Sequence, residues 1–197
     1  FYGKILPSES RRCPGFSSII GYTSIETLAL ILSNRTFRLN SLDQMDDLQE
    51  KETSDIKNIG QFCYISSWTE DDTESIPMWN MYASLDLGVR IKLCKNPFKI
   101  YNITAEDLSK VINAPVTDES NGNPIQSIIP ITEMFAKGFI IFPTITKDLL
   151  FKVQYTNDRE KLYPHLLNED DKRFSITLGE LGKFKNLHWR FQNEWHP

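Results

Sequence analysis

Apolar and polar residues follow two periods along the chain, and the switches between them predict most of its elements. Phe16 to Tyr22 is a short apolar run broken at Gly21, which predicts a strand. Thr23 or Ser24 then caps a helix. Its apolar positions Ile25, Leu28, Ile31 and Leu32 keep helical spacing, and Asn34 closes it. Thr36 to Leu39 predicts a second strand, and the acidic stretch Asn40 to Glu52 a loop. Gln61 to Thr69 alternates aromatic and small residues, a strand signal. Ile76 to Ser84 predicts a helix, with Pro77 tolerated in its first turn. Leu87 to Leu93 alternates as Val89, Ile91 and Leu93, and Phe98 to Ile103 is placed to pair with it as a hairpin.

Further along, Ala105 to Asn113 predicts a helix and Asp118 to Pro124 a turn-rich loop. The apolar run Phe139 to Phe142, within Met134 to Ile145, predicts a buried strand. Leu149 to Tyr155 predicts a strand and Asp158 to Leu167 a helix. Ser175 to Leu187 predicts a helix weakened by Gly179 and Gly182. Trp189 to Trp195 alternates large residues and predicts a final strand. Residues 1–17, polar and carrying Pro7, Pro14 and Gly15, read as an arm, and 18–197 as a single domain. Strands and helices mix without a βαβ rhythm. The expected fold is therefore α+β, with a mostly antiparallel, split sheet and flanking helices. No glycine-rich phosphate loop and no internal repeat occurs.

Composition narrows the function. Aromatics make up 12% of the 197 residues, so large rings must pack in a core or line a ligand cleft. The net charge of −4, with basic residues scattered, disfavours non-specific binding to nucleic-acid phosphates. Cys13, Cys63 and Cys94 lie far apart, and with His165, His188 and His196 they complete no zinc pattern. They read as idle thiols of a cytoplasmic protein, with no metal expected from these residues. His165 and His188 read as structural. No apolar run reaches membrane-spanning length, so no membrane partner is expected. The chain begins with Phe, which suggests a piece of a longer polypeptide.

Three ordered stretches carry a family resemblance. The first is Tyr22-Thr23-Ser24 leading to Ile31-Leu32 and Arg38, followed by Asp46-Asp47-Leu48-Gln49-Glu50. The second is Ser67-Trp68-Thr69-Glu70-Asp71, then Pro77-Met78-Trp79-Asn80-Met81-Tyr82, then Gly88-Val89. The third is Val153-Gln154-Tyr155, with Lys185, Trp189, Gln192 and Glu194 near the end. Together they resemble the bacterial domain-of-unknown-function family twenty-nine seventy-one, across residues 18 to 195. The chain departs from that pattern at Asp46, Leu48, Ser67, Trp68, Thr69, Gln192 and His196, where the family has Asn, Pro, Cys, Phe, Ser, Glu and Arg.

The same layout is similar to that of ADP-ribosyltransferases, an analogy at fold level. It implies NAD as substrate, Glu194 as the catalytic carboxylate and Gln192 as the group orienting the acceptor. Glu194 would stabilise the positive charge of an oxocarbenium-like transition state. Gln192, two residues earlier on one strand, would share its face. Tyr22, Ser67, Thr69, Trp79 and Tyr82 would bind the cofactor, through rings for stacking and hydroxyls for hydrogen bonds. The acceptor would be a protein or a nucleic acid. A toxin or anti-phage effector held by an antitoxin or regulatory partner is the expected setting. Two alternatives stay open. One is a non-catalytic binding or regulatory module. The other is a metal-dependent nuclease in which Asp46, Asp47 and Glu50 hold Mg²⁺ or Mn²⁺; the plainer reading of those acids is a solvated loop.

Overall fold

A computed structural model describes residues 2–5, 18–83, 87–95, 97–113, 125–139, 141, 150–170 and 173–196. The predicted loop from Asp118 to Pro124 lies outside the described residues, and of Phe139 to Phe142 only 139 and 141 are described. In chain order the elements begin with β1 (Tyr2–Lys4), β2 (Ser18–Ser24), α1 (Ile25–Asn34), β3 (Thr36–Arg38) and β4 (Asn40–Ser41). Next come β5 (Tyr64–Ile65), β6 (Trp68–Thr69), α2 (Ile76–Tyr82), β7 (Gly88–Cys94), β8 (Tyr101–Ile103) and α3 (Ala105–Ile112). After these follow β9 (Ile125–Ser127), α4 (Ile131–Ala136), β10 (Phe151–Lys152), β11 (Gln154–Thr156) and α5 (Arg159–Leu162). The last are β12 (Leu167–Asp170), β13 (Arg173–Ile176), β14 (Phe184–Asn186) and β15 (Glu194–His196).

The fold is mixed α+β. Its main sheet has five strands in the order β10-β15-β6-β2-β7, every neighbour antiparallel. Small two-stranded sheets surround it, one of which, β11 with β14, is parallel. Side chains alternate across a strand, so the sheet has two distinct faces. Ile19, Trp68, Ile91, Leu93 and Trp195 point to one side and join Ile31 of α1 with Ile131 and Met134 of α4 in the main core. Burying such a side chain contributes roughly 1.5–3 kcal/mol. Phe37 meets Trp68 edge to face at 5.1 Å within that core. Ile20, Tyr22, Thr69, Glu194 and His196 point to the other side. A smaller cluster of Leu42, Ile65, Leu166 and Leu181 lies on this polar side, next to Gly182 and the His196 ring.

Several elements match their sequence signals. Ser24 caps α1 by accepting from the Thr27 amide, α2 carries Pro77 in its first turn, and Thr104 with Asp107 forms a capping box on α3. Other expectations are corrected. Residues 2–4 of the predicted arm form β1, paired with β3. The predicted strand from Gln61 to Thr69 is a 3-10 turn over Ile59–Phe62 and two short strands in different sheets. Tyr101–Ile103 pairs with β9, not with β7. Leu149 to Tyr155 splits into β10 and β11 in different sheets, and the helix after Asp158 ends at Leu162. The predicted helix from Ser175 to Leu187 is β13, a 3-10 turn over Leu178–Glu180 and β14. Gly179 and Gly182 interrupt helix propagation, and tertiary pairing decides the outcome.

Cys63 is a free thiol whose pKa burial, with some help from Glu50, pushes up to about 12. Cys94 is disulfide-bonded, which overturns the reading of three idle thiols.

Candidate functional site

Among the described residues, the polar face of the main sheet carries a dense group of buried charges. Thr69 and Glu194 stand directly opposite one another on β6 and β15, and Ile20 on β2 pairs with Thr69 on its other side. Tyr22 lies two residues along β2, on the same face. Three strands therefore bring together three of the predicted site residues.

Glu194 is buried. Its Oε2 accepts from Lys185 Nζ at 2.7 Å, and its Oε1 lies 3.2 Å from His196 Nε2. Lys185, equally buried, also donates to Gln192 Oε1 at 3.2 Å and lies 3.4 Å from Glu50 Oε2. His196 Nδ1 faces the Gly182 carbonyl at 3.0 Å and Glu50 Oε1 at 3.6 Å. Four ionisable side chains thus meet where solvent does not reach.

Their charges follow from competing effects. Burial raises the Glu194 pKa, but His196 and Lys185 outweigh it and hold the carboxyl well below its ordinary range. Burial would lower Lys185, and Glu194 with Glu50 reverses that to a net rise. For Glu50 burial wins, so its pKa is raised despite His196 and Lys185. Glu50 also has ion-pair distances but no hydrogen bond of proper geometry, so its compensation is the poorer. The firm core of the cluster is the Lys185–Glu194 pair.

Gln192 reaches this group by a different route from the one its spacing suggests. Leu187–Gln192 is a 3-10 helix and Asn193 is left-handed, with φ 43°. The predicted strand from Trp189 to Trp195 is therefore only Glu194–His196, and Gln192 and Glu194 are not strand neighbours. The turn swings Gln192 back so that both meet Lys185. Gln192 Nε2 donates to the Tyr82 hydroxyl at 2.5 Å, which ties α2 to the cluster. Burial raises the Tyr82 pKa, with Asp46 and Glu194 adding to it.

The remaining predicted residues are placed as follows. The Tyr22 hydroxyl accepts weakly from the Ser75 amide at 3.4 Å, and its ring meets Trp79 edge to face at 5.2 Å. The Thr69 hydroxyl donates to the Asn193 carbonyl and accepts from the Asp71 amide, so it braces the turn before Glu194. Ser67 Oγ is buried with no hydrogen-bond partner. Asp46, Asp47 and Glu50 do not converge. Asp47 Oδ1 accepts from the Gln49 amide, Glu50 turns in to Lys185, and Asp46 is exposed beside Tyr82. Among the described residues no group of His, Cys, Asp and Glu is arranged to hold a metal ion. His188 is exposed on the 3-10 turn, where its amide is bonded to Asn186 Oδ1.

Sequence reasoning missed Glu50, Lys185 and His196 as one cluster. The only local sign was ionisable residues among large apolar ones near Trp189 to Trp195. No helix among the described residues is long and apolar enough to cross a membrane. No protein-family profile, curated protein or solved structure matches the chain.

Proposed function

We propose that the chain is an ADP-ribosyltransferase-like enzyme that uses NAD, with Glu194 as its essential carboxylate. The observation that carries this reading is the register of β2, β6 and β15, which sets Thr69 against Glu194 and Tyr22 one strand away. The unpartnered Ser67 hydroxyl and the edge-to-face Tyr22–Trp79 pair support it as groups suited to an amide and a flat ring. In the reaction the bond from ribose to the nicotinamide nitrogen breaks, and nicotinamide leaves with the electron pair. The acceptor nucleophile then adds to the ribose carbon and loses its proton. Glu194, kept ionised by Lys185 and His196, would stabilise the cationic ribose. The reading requires the Tyr82–Gln192 contact to open, because Glu194 is closed to solvent.

A second reading, a non-catalytic binding module, is supported by that same closure: one Glu194 oxygen accepts from Lys185 and the other lies 3.2 Å from His196 Nε2. One experiment separates the two. Purified protein is incubated with labelled NAD and cell lysate, beside folded Glu194→Gln protein. Nicotinamide release and label transfer by the wild type, reduced about a hundredfold or more in the variant, support the transferase. Full activity in the variant removes Glu194 from the chemistry. Inactivity of both favours the binding module.

A further inference from the structure

A second polar site shares no residue with the buried cluster. A cleft of about 550 Å³ is lined by Thr53, Ser54, Arg159, Glu160, Tyr163 and His165. Its chemistry centres on two groups. The Arg159 guanidinium lies 5.8 Å over the Tyr163 ring, and no carboxylate among the described residues pairs with it. His165 is two-thirds exposed, and its Nδ1 lies 3.3 Å from Asp55 Oδ2. Asp55 is itself fixed by backbone amides, from Leu166 and Leu167 to Oδ2 and from Ile56 to Oδ1. A carboxylate anchored in this way orients the ring through Nδ1, and no hydrogen bond or ion pair among the described residues uses Nε2.

Ser54 completes a trio of Ser, His and Asp, but the trio is not a nucleophile relay. Ser54 Oγ lies 3.4 Å from Nδ1, the same nitrogen that faces Asp55. A serine nucleophile needs the opposite nitrogen as its base. Ser54 Oγ also donates to the Pro164 carbonyl at 3.4 Å, and Ser54 and His165 both line the cleft.

We propose that this cleft binds a small phosphoryl-bearing molecule, held by Arg159 and the Nε2 edge of His165 against Tyr163. The Arg159 guanidinium, and the His165 ring when both of its nitrogens carry protons, donate to phosphate oxygens, and a guanidinium with no carboxylate partner among the described residues gives up no ion pair to any of them on binding. Glu160 on the rim opposes anions and favours ligands that reach past it to Arg159. The proposal makes no use of Glu194 and stands apart from the transferase reading.

The test is a titration with inorganic pyrophosphate, and separately with adenosine diphosphate, followed through the His165 ring signals by NMR. The wild type is compared with Arg159→Gln, which alters an exposed position, and with Lys110→Gln, which removes an exposed charge on α3, a helix with no residue in the cleft lining. Saturable shifts, weakened about tenfold by Arg159→Gln and unchanged by Lys110→Gln, are expected. Tighter binding of the nucleotide would identify a base-stacking role for Tyr163. Equal binding would identify a simple phosphate ester or polyphosphate. No saturable shift up to about 10 mM of either probe, or equal weakening by both substitutions, would overturn the proposal.

Discussion

Lys185 is the residue on which the buried cluster turns. It holds Glu194 at 2.7 Å and stands 3.4 Å from Glu50, with almost no solvent contact. Replacing it with Met leaves two carboxylates buried without their cation, and this costs about 3–5 kcal/mol. Urea unfolding near neutral pH should show that loss, and Glu194→Gln in the same background should recover part of it. The two acids also predict opposite pH effects. The folded pKa of Glu194 lies below the ordinary 4.5, so its stabilisation is full above that value and fades as pH falls through the folded value. Glu50 is shifted upward from 4.5, so its contribution is full below that value and fades as pH rises through the raised one. Unfolding midpoints measured against pH should therefore lose their acid-side fall in Glu194→Gln and their decline on raising pH in Glu50→Gln. An unchanged profile in both variants would remove the cluster as the source. Glu194 stood out in the sequence because it lies in a motif. Lys185, nine residues away, was within reach of sequence reasoning as an ion-pair partner, whereas Glu50 meets it only through long-range folding.

Among the elements, the short connections carry the strain. Asn193 adopts φ 43°, a conformation Asn tolerates and a β-branched residue resists. Asn193→Val should cost about 1–2 kcal/mol, while Asn193→Gly should be nearly neutral. Both are measurable as shifts in Tm. Gly88 opens β7 where a Cβ would stand 1.9 Å from the Ala83 carbonyl oxygen. Gly88→Ala must push the end of α2 away from β7, at about 2–3 kcal/mol, and should loosen the Tyr82–Gln192 contact. Tyr82 accessibility to chemical iodination would report that loosening. Helices with caps and clear periodicity, such as α1 and α3, were readable from sequence. The segment 175–195 was not, because alternating large residues there lie on 3-10 turns and short strands whose partners are distant.

For the whole molecule, the two faces of one sheet divide the labour between apolar packing and buried charge. Strand β2 is paired along its full length with β7 and packed on the main core, whereas β12 and β13 pair only with each other. Native-state hydrogen exchange should be slowest at Ile19 and Ile20 and faster by orders of magnitude in β12–β13. Equal protection in both would contradict a single dominant core. The α+β class followed from mixed periodicities without a βαβ rhythm, but strand order did not, since short strands carry little pairing information. That order has a further consequence. The sheet runs β10-β15-β6-β2-β7, so residues 194–196 wedge between strands that emerge from the ribosome much earlier. During synthesis β6 waits with one edge bare, and neither the wedge nor its buried acid can seat before nearly all of these residues have been made. Disrupting residues 194–196 would therefore leave a split sheet with an open flank, a template for self-association.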